Sequence, residues 1–160
     1  MGGPTRQLLA AQNVVLSDEV LCAPGAIAEM SLIYLTHCSH KKNERCKETR
    51  EAVTPEVLYT ATPTQRFVQR CRVLNVPWAV FSDKYGIWFP EVRHEWYEKD
   101  PDTVTEAEFS GLVADFDAKL SGYSEICFYH NPGRFHPLRL LRLSELSDRV
   151  KPITHLWEIT

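Results

Sequence analysis

The sequence predicts a single three-layer α/β domain over residues 31–160, with a mostly parallel central sheet of about four strands. An irregular or partly helical segment, residues 1–30, is expected to precede it. Two observations carry the expectation. Short apolar runs of strand length alternate with apolar-periodic stretches of roughly 10–17 residues, as when crossover helices join parallel strands. The first such run, Ser31 to Cys38, is almost continuously apolar, which suits a strand covered on both faces.

The elements follow in order. After the strand at Ser31–Cys38 comes a polar, charged loop from Ser39 to Thr49. A helix is predicted from Thr62, with Thr62 as its cap, Pro63 at its first position and Gln65 in the reciprocal capping position. Phe67, Val68, Cys71 and Leu74 recur at helical spacing and Asn75 ends the run. Val76–Ser82 reads as the second strand, with Pro77 tolerable only near its start. An aromatic and acidic connection then runs to Asp102.

Thr105 and Glu108 form a capping box that opens a helix presenting Phe109, Leu112, Val113, Phe116 and Leu120 on one face, with Gly122 as its stop. Glu125–His130 is the third strand and Asn131-Pro-Gly133 a turn. Pro137 opens a third helix with Leu138, Leu141 and Leu146 inward, and Pro152–Ile159 closes the chain as a fourth strand. His155, inside that strand, reads as a hydrogen-bonded core histidine.

Bulk properties restrict function. One domain fits 160 residues, and 44% apolar with 24% charged residues is ordinary for a globular chain. A net charge of −3 provides no global field for nucleic acid, so such binding would need a local basic face. No apolar stretch approaches the roughly 20 residues that span a bilayer. An odd set of five cysteines, three within apolar-periodic segments, reads as reduced thiols, and the expected compartment is the cytoplasm.

Ligands of open α/β sheets bind beyond the carboxyl ends of the strands, so three strand exits are the segments of interest. The first, His37-Cys38-Ser39-His40-Lys41-Lys42, is the densest reactive cluster. Neighbouring lysines and histidines would favour a thiolate at Cys38. A small apolar residue ending a buried strand would look the same. Lys41, Lys42, Arg45, Lys47 and Arg50 suit phosphate or carboxylate, or else form a solvated loop. The Cys/His spacing here fits no zinc pattern, and no metal is expected.

At the second exit Ser82, Asp83, Lys84 and Tyr85 share one turn with Gly86. The third brackets Asn131 and Arg134 between His130 and His136, histidine for proton transfer and arginine for an anion. Between them Trp88, Phe89, Trp96 and Tyr97 could form a lid or stack on a base. Residues 91–117 are acidic and should repel a phosphate backbone.

The series Leu35-Thr-His-Cys-Ser-His-Lys-Lys42, Leu58-Tyr-Thr60, Phe81-Ser-Asp-Lys-Tyr-Gly86 and Tyr129-His-Asn-Pro-Gly133 resembles a widespread bacterial, archaeal and phage family. Its members show a strand ending in Cys-Ser or Cys-Gly before lysines, a Leu-Tyr-Thr, and a Leu-Ser-Ala-Lys-Tyr-Gly turn. The family is similar to the archaeosine synthase core and the peroxide-stress YaaA proteins, and to the uracil-DNA glycosylase-like α/β fold. The resemblance covers roughly residues 31–158; of the synthase pattern itself, only Cys38 and Lys42 match.

It implies an enzyme handling a nucleobase, nucleotide or nucleic acid, by base modification or glycosidic-bond chemistry, with no cofactor. Cys38 would be the nucleophile or a binding thiol, Lys42 and Lys84 would hold or activate an anionic group, and His130 would move protons. Ser39, Lys41, Tyr59, Ser82, Tyr85, Trp88, Asn131 and Arg134 would contact the substrate, Tyr85 and Trp88 by stacking on its base. The alternative is a non-catalytic nucleotide- or nucleic-acid-binding module of a stress or phage setting. Its signature would be steep salt dependence and little effect of Cys38→Ala.

Overall fold

A computed structural model of the chain describes residues 31–130 and 138–160. The expected segment at 1–30 and the third exit with Asn131, Arg134 and His136 lie outside them. Strand β1 (Leu32–His37) is central because its residues 33–36 are buried on both sides. It is paired in parallel with β2 (Trp78–Ser82) on one side and with β4 (Glu125–Tyr129) on the other. The outer neighbours are β3 (Gly86–Trp88), antiparallel to β2, and β5 (Val150–Ile153), parallel to β4. The sheet is thus five-stranded and mostly parallel, in the order β3-β2-β1-β4-β5.

Helices cover both faces. Between β1 and β2 run α1 (Glu44–Thr49), α2 (Pro55–Leu58) and α3 (Thr62–Leu74). The stripe Phe67, Val68 and Cys71 of α3 packs on Tyr34, Trp78, Val80 and Cys127. On the other face α4 (Glu106–Leu120) sets Leu112, Val113, Phe116 and Leu120 against Ile33, Leu35, Ala79, Phe81 and Phe128. Leu140 of α5 (Leu138–Leu143) and Leu146 beyond it complete this second core. No helix among the described residues is long and apolar enough to cross a membrane.

Local physics explains where the sequence expectation shifts. The stretch read as a loop at 39–49 contains α1, because the Asn43 side chain accepts the Arg45 N–H and caps it. Helix α3 begins at Thr62 itself, one residue earlier than expected: Ala61 is the capping position, and Gln65 instead donates to the carbonyls of Glu56 and Tyr59. The Thr105–Glu108 capping box of α4 forms as expected. Strand β3 was not foreseen; its three residues return from β2 through Gly86, at φ +70°. The last strand is Val150–Ile153 and not Pro152–Ile159. The Glu158 carboxylate accepts the N–H groups of Thr154 and His155 and bends the chain into a 3₁₀ turn at Leu156–Glu158. His155 is consequently exposed and stacked on Trp157 rather than buried.

Candidate functional site

The chain from β1 leads to β2 over one face of the sheet, and the chain from β3 leads to β4 over the other. β1 and β4 are adjacent, so the carboxyl end of β1 lies beside the point where the connections part, where open α/β sheets form their crevice. A hollow of about 440 Å³ opens there. His37, Cys38, Ser39, His40, Phe81 and Asp83 from the exits of β1 and β2 form one wall. The opposite wall is Pro101, Val104, Phe109 of α4 and Arg139 and Leu140 of α5.

Each wall is held in place by identifiable bonds. The Cys38 N–H donates to the Phe81 carbonyl (2.9 Å), carrying the β1–β2 ladder one residue past β1. Ser82 turns the exit of β2: its Oγ accepts the N–H groups of Lys84 (3.2 Å) and Tyr85 (3.1 Å), which leaves Asp83 at the rim. Gly86 then meets Asp115 of α4 so closely that a Cβ there would lie 2.1 Å from the Asp115 carboxylate. That carboxylate accepts the Ile87 N–H (2.7 Å) and pairs with Lys119 (2.9 Å), pinning the β2–β3 turn to α4. On the far wall the Arg139 guanidinium lies 4.0 Å from the Phe109 ring centre and pairs with Glu106.

Behind the hollow lies a buried polar network. The Cys38 thiol donates to Asp83 Oδ2 at 3.4 Å. Ser82 Oγ donates to the Tyr97 hydroxyl at 3.1 Å, and the Tyr97 and Tyr59 hydroxyls share a further hydrogen bond. Lys42 closes this cluster from outside, its ammonium 4.7 Å from the Tyr97 ring centre and 5.8 Å from that of Trp96. Burial, and next the adjacent Asp83 charge, push the Cys38 thiol up from 9.0 to about 12. Burial also lowers Lys42 and raises both tyrosines.

Of the two readings open for Cys38, a thiolate favoured by cations and a small residue ending a buried strand, burial and the Asp83 contact favour the second. The closest charge to Cys38 is the carboxylate of Asp83, and near neutral pH the sulfur is a protonated hydrogen-bond donor. The arrangement can instead offer a carboxylate acceptor, a slot with apolar walls and flanking imidazoles and guanidinium. Among the described residues no group of three or more His, Cys, Asp or Glu is placed to hold a metal ion.

Of the residues singled out in the sequence, Cys38 and Ser39 line the hollow. Lys42 faces a neighbouring one of about 390 Å³, which shares His40 and Pro101 with it. Lys84 and Tyr85 border a third, of about 500 Å³, joined through Asp83. The first two exits thus converge on one rim, though in adjoining hollows. Lys41 is exposed outside the walls, and Lys47 is paired with Glu98.

Tyr59 and Ser82 are fully buried and act through the network. Trp88 is also fully buried, its indole N–H donated to the Val92 carbonyl, so it presents no face for a base; the half-buried Tyr85 ring is stacked on His94 at 3.9 Å. His130 is only 4% exposed, its backbone N–H bound to Ile153. Asn131 and Arg134 lie outside the described residues.

Sequence reasoning missed Asp83 as the acceptor, Tyr97 as the network's hub, and Phe109 with Arg139 as the far wall. A carboxylate inside the Ser-Asp-Lys-Tyr turn was the one available signal. Fold and rim define an α/β protein with a mostly parallel sheet and a mixed polar and apolar hollow at its switch point. Comparisons with protein-family models, with curated proteins and with solved structures each return no match.

Proposed function

We propose that the rim hollow binds a nucleobase or nucleotide, and that the protein modifies the base or acts at its glycosidic bond in a reducing, cytoplasmic setting. The carrying observation is the pairing of two unlike walls. Val104 and Phe109, backed by the buried Phe81 and Leu140, offer apolar surface to a flat ring, while Asp83 and His40 border it with groups able to bond to a ring edge or move a proton. Lys42, beyond His40, would meet an anionic substituent. The resemblance of the strand exits to a family that looks related to the archaeosine synthase core, with Cys38 and Lys42 the positions matching the synthase pattern, suggests the same ligand class.

In this reading Asp83 is the acid–base residue, and Cys38 donates a hydrogen bond to it rather than attacking. A second reading, a non-catalytic nucleotide-binding module, is favoured by that protonated thiol. Calorimetric titration with free bases, nucleosides and 5′-monophosphates tests both. Binding weakened about tenfold or more by Asp83→Asn and by Phe109→Ala supports the site, by loss of a charged hydrogen bond or of ring contact. Product formation that disappears in Asp83→Asn supports the enzyme, and binding without turnover supports the module. Ligand affinity unaffected by either substitution rejects both.

A further inference from the structure

The outer side of α3 carries a feature that the rim hollow does not use. A shallow hollow of about 610 Å³ lies along it, bordered by Thr60, Gln65, Arg66, Gln69, Arg70 and Val73, with Leu156 at its edge. Every polar group there is a hydroxyl, amide or guanidinium, and none of the bordering residues is acidic, in a chain whose net charge is −3. Arg66 has no carboxylate partner among the described residues. Arg70 is held by the Ile159 carbonyl (2.8 Å and 3.1 Å), which fixes the 3₁₀ turn Leu156–Glu158 against α3.

That turn packs the half-buried Leu156 against the core and throws Trp157 outward, 70% exposed, with the His155 ring stacked on it at 5.6 Å and 13°. Of the neighbouring acids, Glu158 is engaged by the Thr154 and His155 N–H groups and Glu56 is paired with Arg72.

We infer that the α3 groove and the Trp157 platform form a binding surface for single-stranded nucleic acid, separate from the rim hollow. A strand of this kind is recognised by cations that follow its phosphates and by an aromatic face on which a base stacks, with little call on sequence. Arg66 and Arg70 supply the first, Trp157 with His155 the second, and Gln69 can bond to sugar or base edges. Charge complementarity favours a polyanion on this lining, and the exposed indole adds a face on which its bases stack. The inference goes beyond the proposed function and does not need the rim site to be active.

Intrinsic fluorescence reads it directly, because Trp78, Trp88 and Trp96 are buried and Trp157 alone among the described tryptophans is exposed. Titration of the full chain with a twelve-nucleotide oligothymidylate at low salt should quench its emission. Neutralising two phosphates predicts an affinity falling roughly sevenfold between 50 and 200 mM salt. Trp157→Ala should remove the quenching and weaken binding of a labelled oligomer at least about fivefold, the loss of one stacked base. Arg66→Glu should weaken it as well, while Trp157→Phe retains part of the affinity.

Asp83→Asn should bind the oligomer like the wild type, so failure of the rim reading and failure of this one are distinguishable. Absence of binding to the wild type, or equal affinity in Trp157→Ala and Arg66→Glu chains with unchanged circular dichroism, overturns the inference. So does a concentration-dependent dimer in sedimentation that buries Trp157 and excludes the oligomer.

Discussion

The two faces of the sheet are built to different specifications. Under α4 and α5 the packing is hydrocarbon and phenyl rings: Phe81 meets Phe116 and Phe128 edge-on at 6.1 and 6.3 Å among Ile33, Leu35 and Ile126. Under α1 to α3 the core is equally closed, yet it carries Tyr59, Tyr97, Ser82 and Cys38 bonded to one another beside Asp83. The hydrocarbon face stabilises through buried area, which is indifferent to direction. The polar face adds little net stability per bond but fixes angles, because a buried hydroxyl that loses its partner carries a desolvation penalty. The rim hollow sits where the two meet, its apolar wall continuous with the first core and its carboxylate beside the second.

The contrast can be broken by mutation, starting with its hydrocarbon side. Phe116→Ala or Phe128→Ala should cost about 3–5 kcal/mol in urea denaturation, the penalty of emptying a packed aromatic site. Either change on the hydrocarbon face is expected to exceed any single change in the polar network. Gly86→Ala tests the joint between hairpin and helix. Its positive φ and the Asp115 carboxylate in the way should cost more than about 1 kcal/mol and loosen the Asp83 turn.

A third substitution probes the network itself. Tyr97→Phe leaves the Ser82 and Tyr59 hydroxyls short of a partner and should cost about 1–3 kcal/mol. The Tyr59→Phe, Tyr97→Phe double variant should cost less than the sum of the two single changes, since it removes both ends of one bond. Additive losses would show that the network is not coupled.

A further test is the pH dependence of stability. Burial and Asp83 raise the folded Cys38 thiol to about 12, and burial raises Cys71 to about 12. The unfolded chain gives up these protons at lower pH than the folded one. Their contribution is therefore complete below the ordinary value of 9.0 and declines as pH rises toward 12. Stability measured from pH 8 to 11 should fall, with a shallower slope in Cys38→Ala, and alkylation of Cys38 in the folded protein should lag that of a free thiol. An equally fast reaction at pH 8 would contradict the Asp83 contact.

Much of the architecture was legible because its signals are local. The apolar runs of β1, β2 and β4, the stripe of α3 and the capping box of α4 depend on residues within a few positions of one another. What escaped was short or set by distant partners. Strand β3 is three residues whose pairing depends on β2 and Asp115, α1 hangs on one Asn43 cap, and the final turn on Glu158 reaching back. In the site, Cys38 was visible as a reactive type, but its burial and its neighbour Asp83, 45 positions away, hold the thiol in its protonated form.

The sequence by itself determined the alternation of strands and helices, and with it the rim at which β1 and β2 discharge their polar residues, because hydrophobic periodicity and capping act over a single turn or strand. Only the tertiary structure decided which charges became neighbours. Bringing Asp83 rather than a lysine against the Cys38 sulfur, burying Trp88 while exposing Trp157, and closing the hollow with Phe109 and Arg139 all follow from chain packing. Electrostatics at contact distance is set by proximity in space, on which order along the chain places almost no constraint.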